Sequence, residues 1–233
     1  MRSQVAEHLE AVEARIAAAC RQAGRERSSV ELIAVSKTFP AEAVMDAAAV
    51  GQRVFGESRW QEAEPKIAAC PPGLDWHFIG GVQRNKVRKI LPLFGTVHAI
   101  DSLRLAAYTD QVAAELGSRP KVFLQVNAAG ELSKGGYEPE ELEREIESLA
   151  ALEHLEIRGL MTIPPDDGNA RPWFAKLREF RDRLSASCAL ALPDLSMGMS
   201  GDYEEAIEEG ATFVRVGSAI FGHRAYRVDG ELG

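Results

Sequence analysis

The chain has 233 residues, 45% of them hydrophobic, and a formal net charge of -8. It is too apolar for a disordered chain and long enough for one large domain, here taken as residues 1–233. The acidic balance repels phosphate backbones and excludes bulk nucleic-acid binding.

An amphipathic helix opens the chain over residues 1–24. Val5, Leu9, Val12 and Ile16 recur at helical spacing, and Gly24 is a stop. Eight short apolar or β-rich runs follow: Glu31–Ser36, Val54–Ser58, Trp76–Gly80, Val97–Asp101, Lys121–Asn127, Ile157–Ile163, Asp194–Gly198 and Phe213–Gly217. Helical patterns fill the gaps. Leu105, Val112 and Leu116 share one face, as do Leu142, Ile146 and Leu149, and Trp173, Leu177, Phe180 and Leu184. Strands alternating with helices predict a parallel sheet. Eight such units predict a closed (β/α)8 TIM barrel with an extra N-terminal helix, an open doubly wound sheet being the main rival. Pro164 to Gly168 reads as a loop after the sixth strand, and residues 223–233 as a C-terminal tail.

Cys20, Cys70 and Cys188 are odd in number and widely spaced, which fits neither a disulfide framework nor a zinc site. With no apolar signal core at the N-terminus and no run of about 18 apolar residues, the expectation is a soluble cytoplasmic protein without a membrane partner. The basic run Arg84-Asn85-Lys86-Val87-Arg88-Lys89 reads first as a solvated helix face.

In a barrel, chemistry sits at the C-terminal ends of the strands, and these ends are unusually polar here. Lys37 directly follows the buried run Leu32 to Ser36. Desolvation at a barrel mouth favours a neutral amine able to form an imine with an aldehyde. Its alternatives are a lysine reaching solvent or pairing with Glu57. Gly217 and Ser218 end the last strand before Ala219-Ile220-Phe221, a short helix whose N–H groups can meet an anion. Ser200, just past strand seven, adds a hydroxyl on the same side, or else caps a helix over 202–209. Arg215, inside strand eight, is either a donor to a ligand or the partner of an interior carboxylate. His77, in strand three, reads as a structural residue or a site residue. Met161, Met197 and Met199 read as packing around the mouth.

Taken together, these segments resemble the pyridoxal phosphate homeostasis protein family. The likeness is carried, in order, by Ile33 to Thr38, Phe55-Gly56-Glu57, Trp76 to Gly80, Asn85-Lys86, Ile100-Asp101-Ser102, Gln125-Val126-Asn127, Ser133 to Gly136, Arg158 to Pro164, Leu195 to Ser200 and Val214 to Gly222. It covers nearly the whole chain. The resemblance implies an alanine racemase N-terminal domain-like barrel with pyridoxal 5′-phosphate (PLP) at its mouth. It implies a Schiff base on Lys37, the phosphate against Ser200, Gly217 and Ser218, and Arg215 against the pyridine nitrogen. Ser58 and His77 complete the expected cofactor-binding set. Two departures stand out. Ser58-Arg59-Trp60 replaces the usual Asn-Tyr after Gly-Glu, and Gly81 replaces the proline of the usual Gly-Pro-Leu-Gln.

The resemblance implies storage and delivery of PLP rather than catalysis, with PLP-dependent apoenzymes as possible recipients and only weak residual PLP chemistry. The alternative is a PLP-dependent amino-acid racemase. Racemases of this type add a β-rich domain that this length does not accommodate, which points to a monomer. Racemisation also needs an acid and a base on opposite faces of a carbon, and only Lys37 is evident. A Schiff-base aldolase without PLP is a third class.

Overall fold

The computed structural model describes residues 3–131 and 135–222. Helix α1 (Gln4–Gln22) starts at Ser3, whose Oγ accepts from the Ala6 N–H. Leu9, Val12 and Ile16 are buried as their spacing predicts, and Gly24 takes a positive φ of 66° just past the helix. The eight strands are β1 (Glu31–Val35), β2 (Val54–Glu57), β3 (Asp75–Phe78), β4 (Thr96–Ile100), β5 (Lys121–Gln125), β6 (Glu156–Met161), β7 (Asp194–Ser196) and β8 (Phe213–Val216). The helices that follow α1 are α2 (Ala41–Ala49), α3 (Trp60–Ala69), α4 (Val87–Ile90), α5 (Leu103–Leu116), α6 (Pro139–Ala150), α7 (Arg171–Ser187), α8 (Tyr203–Glu208) and α9 (Ser218–Phe221).

The strands form a closed parallel barrel in sequence order. β8 returns to β1 with Glu31 opposite Phe213 and Ala34 opposite Val216. Closure removes the exposed edges that an open sheet would leave, and it rules out the doubly wound alternative. Two apolar compartments result. The larger packs outward-facing strand residues such as Leu32, Ala34 and Phe55 against the helices, while Ala99, Phe123, Met161 and Phe213 form a small cluster of their own. The barrel interior also holds polar side chains. His77, His98, Ser196 and Arg215 are all buried.

Most strands stop one or two residues short of the predicted runs. Ser36, Ser58, Gly80, Asn127, Gly198 and Gly217 leave the ladder and build the loops of the C-terminal mouth. Two helix faces need correction. Leu116 is the last residue of α5, before the left-handed Gly117, and is 45% exposed. In α7, Phe174 is buried beside Leu177, Phe180 and Leu184, and Trp173 is only half-buried. The predicted tail at 223–233 and Ser133-Lys134 lie outside the described residues. No helix among the described residues is long and apolar enough to cross a membrane.

Helix α1 braces the mouth. The His8 ring bonds the Ile220 carbonyl in α9 at 3.1 Å, and Arg15 holds Glu204 of α8 through two hydrogen bonds. Those helices follow the strand-seven and strand-eight loops. The turn into α8 requires Gly198. Its φ is 93°, and an added Cβ would lie 2.6 Å from the Ala206 Cβ. Gly198→Ala is therefore expected to cost about 1–3 kcal/mol and to lower Tm by several degrees, measured by thermal unfolding.

Candidate functional site

The backbone that carries Lys37 is pinned from behind. Ser36 is fully buried, and its N–H donates to the Gly56 carbonyl at 3.1 Å. The chain then turns, with the Phe39 N–H donating to the Ser36 carbonyl at 3.0 Å and Thr38 at φ 72°. A β-branched residue in the left-handed region is strained by about 1–3 kcal/mol, a cost that persists where the surroundings fix it. Those surroundings include a buried ion pair. Lys66 Nζ lies 2.6 Å from Glu57 Oε1 and also donates to the Ser36 carbonyl at 2.8 Å. Ser36 Oγ donates to the same Glu57 oxygen at 2.7 Å. Glu57, which the sequence offers as a partner for Lys37, pairs with Lys66.

Lys37 opens onto a cavity of about 550 Å3 that it shares with Ser200, Arg215, Gly217 and Ser218. Ile79, Ile163 and Met199 add apolar wall. The volume falls within the roughly 300–1,000 Å3 of small-molecule sites. Ser200 Oγ accepts from the Gly217 N–H at 3.2 Å and so joins the strand-seven and strand-eight loops. It is not a helix cap. Asp202 precedes α8, and its Oδ1 accepts from the Met199 N–H. Gly217 precedes α9, whose geometry leaves the Ser218 and Ala219 N–H groups without an intrahelical acceptor. A Cβ at Gly217 would come within 3.3 Å of Val35, another wall residue.

Arg215 is buried, and among the described residues it donates to a hydroxyl and a carbonyl rather than to a carboxylate. Nη1 donates to Ser196 Oγ at 2.7 Å and Nη2 to the Thr162 carbonyl at 3.0 Å. Burial pushes the guanidinium down to about 10, with Asp202 opposing, so it remains a cation at neutral pH.

Two predicted site residues stand apart from the cavity. His77 points into the barrel, with Nδ1 2.9 Å from His98 Nε2 and Nε2 3.3 Å from Asp75 Oδ2. Ser58 is half-buried past β2, where its carbonyl packs so closely on Gly80 that a Cβ there would sit 2.4 Å away. The basic run is engaged locally. Arg84 lies over the Tyr108 ring at 4.8 Å, Arg88 pairs with Glu115, and Lys89 lies over Trp60 at 5.9 Å. Sequence reasoning missed Lys66, Ser196 and His98. Lys66 sits in a charged helix, Trp60–Ala69, and carries no sequence sign of burial. Ser196 and His98 could have been found as polar residues inside buried strands.

Residues 8–225 match the family described as alanine racemase, N-terminal domain. The pyridoxal phosphate homeostasis protein of Pseudomonas aeruginosa is 46% identical, the match covering 96% of this chain and 97% of that one. The protein of the same name from Aquifex aeolicus is 43% identical over 94% and 98% of the two chains. The chain belongs to the pyridoxal phosphate homeostasis protein family. Its closed barrel is that of the alanine racemase N-terminal domain. Among solved structures it is similar to PipY of Synechococcus elongatus with PLP bound, at a TM-score of 0.84 and 41% identity, covering 94% of this chain and all of that one. These homeostasis relatives are named as such and not as enzymes.

Proposed function

We propose that this chain binds PLP in the Lys37 cavity and serves PLP homeostasis by storing the cofactor and releasing it to apoenzymes. The observation that carries this reading is the grouping of one amine, one buried arginine, two hydroxyls and a glycine turn on a single cavity at the C-terminal mouth. That donor set fits PLP. Lys37 would tether the aldehyde carbon as a Schiff base. The Ser200 and Ser218 hydroxyls, with the N–H groups at the start of α9, would hold the phosphate by charge-assisted hydrogen bonds. Arg215 would meet the ring nitrogen and, as a cation, keep it unprotonated. Ile79, Ile163 and Met199 would cover the ring and limit water.

PLP, when bound, supplies a reactive carbonyl and a ring that draws electrons. The cationic Arg215 restrains that draw, which suits a carrier. The racemase reading needs a second acid or base opposite Lys37. Among the described residues that line the cavity, the ionisable side chains are Lys37 and Arg215, and an arginine does not give up its proton near neutral pH.

Titration with PLP and with pyridoxal, followed by absorbance, tests the site. PLP is expected to bind at least tenfold more tightly, since a hydrogen bond to a charged group contributes about 1.5–3 kcal/mol. Ser200→Ala should narrow that gap with little change in Tm. Equal affinities would refute the phosphate cradle. Storage is tested by incubating the loaded protein with single-enantiomer amino acids in deuterated water and with a PLP-dependent apoenzyme. Slow α-proton exchange with recovery of the apoenzyme is expected. Rapid exchange with racemisation would favour the enzyme.

A further inference from the structure

The polar interior of the barrel is continuous. From Arg215 Nη1 the contacts run to Ser196 Oγ at 2.7 Å, from that oxygen to His98 Nδ1 at 2.8 Å, from His98 Nε2 to His77 Nδ1 at 2.9 Å, and from His77 Nε2 to Asp75 Oδ2 at 3.3 Å. Asp75 opens β3, and its side chain is 54% exposed, so the path ends in solvent at the N-terminal mouth. We infer that Ser196, His98, His77 and Asp75 form a one-way hydrogen-bond chain that positions Arg215 from the opposite end of the barrel. The part that concerns bound PLP rests on the reading of the cavity above.

The direction follows from proton accounting. A guanidinium only donates, so Ser196 Oγ accepts from Arg215. The hydroxyl proton then has one acceptor recorded among the described residues, His98 Nδ1, which must be bare. His98 therefore carries its proton on Nε2 and donates to His77 Nδ1, which is bare in turn. His77 carries its proton on Nε2 and donates to Asp75. Both imidazoles are neutral Nε2–H tautomers, and every link turns its lone pair toward the buried cation. The reverse order needs a doubly protonated His77 and leaves the Ser196 proton without an acceptor.

The surroundings agree with this direction. His98 is fully buried and stacks on Phe123 with ring centroids 4.4 Å apart and planes 9° apart. Burial above all holds its imidazolium well below the usual histidine range, and the Arg215 cation adds to it. The bond from His77 in turn holds the Asp75 carboxyl below its ordinary value, against its partial burial. The other charges facing this end are Glu31 on β1, which Asp75 opposes in its ionised form, and Lys121 on β5, felt at Asp75. A fully satisfied chain of this kind fixes rotamers through cooperative polarisation, and Arg215 is the side chain at its inner end.

The test begins without PLP. Nitrogen-15 spectra of the full chain at neutral pH should show His77 and His98 as neutral Nε2–H tautomers and the Arg215 Nη signals as resolved. Asp75→Asn retains an acceptor oxygen at a half-exposed position where folding is safe, and it should move the His98 Nε2 resonance from two residues away. His98→Phe keeps the stacking shape and should collapse the Arg215 signals. With PLP added, His98→Phe and Ser196→Ala should each weaken its retention roughly tenfold and shift the visible band, with a smaller shift for Asp75→Asn. An Nδ1–H or doubly protonated state of either histidine would overturn the direction of the chain. Arg215 signals unchanged in both Asp75→Asn and His98→Phe would overturn the positioning role. A wild type that shows these tautomers and does not bind PLP would sink the cavity reading alone.

Discussion

Borohydride reduction of the PLP-treated protein is expected to fix one PLP mass on the peptide that contains Lys37, and Lys37→Ala is expected to abolish both the adduct and the visible band. The expectation rests on position. Lys37 is the first residue after a fully buried serine at the end of β1, on a turn whose strained Thr38 is held by the packing behind it. It lines the cavity together with Arg215, Ser200 and Ser218. The hydroxyls and the α9 turn are untouched by the substitution, so weak non-covalent binding of PLP should persist and Tm should change little. Peptide mass spectrometry reads the adduct, and a spectral titration reads the residual affinity. An adduct confined to another lysine, or an unchanged spectrum in Lys37→Ala, would place the tether elsewhere.

How much of this was legible in the sequence follows from which forces act locally. The eight strands show as short apolar runs, because a parallel strand buried on both faces needs continuous hydrophobicity. Their C-terminal ends show as polar or glycine residues, because these leave the ladder to form loops. That pattern led to Lys37, Ser200, Arg215, Gly217 and Ser218, which do share one cavity. His77 carries the same polar-in-strand signal, yet its ring lies within the barrel against His98 and Asp75. A strand pattern tells inward from outward, but it does not tell height along the barrel axis. Ser58 stands where the resemblance expects a site residue, half-buried past β2, with its carbonyl packed closely on Gly80. Lys66 was invisible because Trp60–Ala69 reads as a solvated helix, and only the tertiary fold brings its amine to Glu57, nine residues earlier.

That lysine carries the second large expected effect. Lys66→Met should destabilise the fold by about 3–5 kcal/mol, because it strands a charge that is already buried. Glu57 is fully buried and Lys66 is 8% exposed, so water does little to screen the pair. Glu57 Oε2 has no hydrogen-bond partner among the described residues, and its other oxygen depends on Lys66 and Ser36. Removing the amine leaves a carboxylate with one serine hydroxyl and takes a donor from the Ser36 carbonyl, at the residue before Lys37. The double variant Glu57→Gln, Lys66→Met removes both charges and should recover most of the loss, since a buried pair owes little net stability to its charges. Denaturant unfolding of the two single variants and the double completes the cycle. A single-variant loss below about 1 kcal/mol would mean that the pair is as well solvated as a surface one. PLP retention separates stability from positioning. If the double variant recovers stability but still loses PLP faster than wild type, the Lys66 bond to the Ser36 carbonyl also aims Lys37 into the cavity.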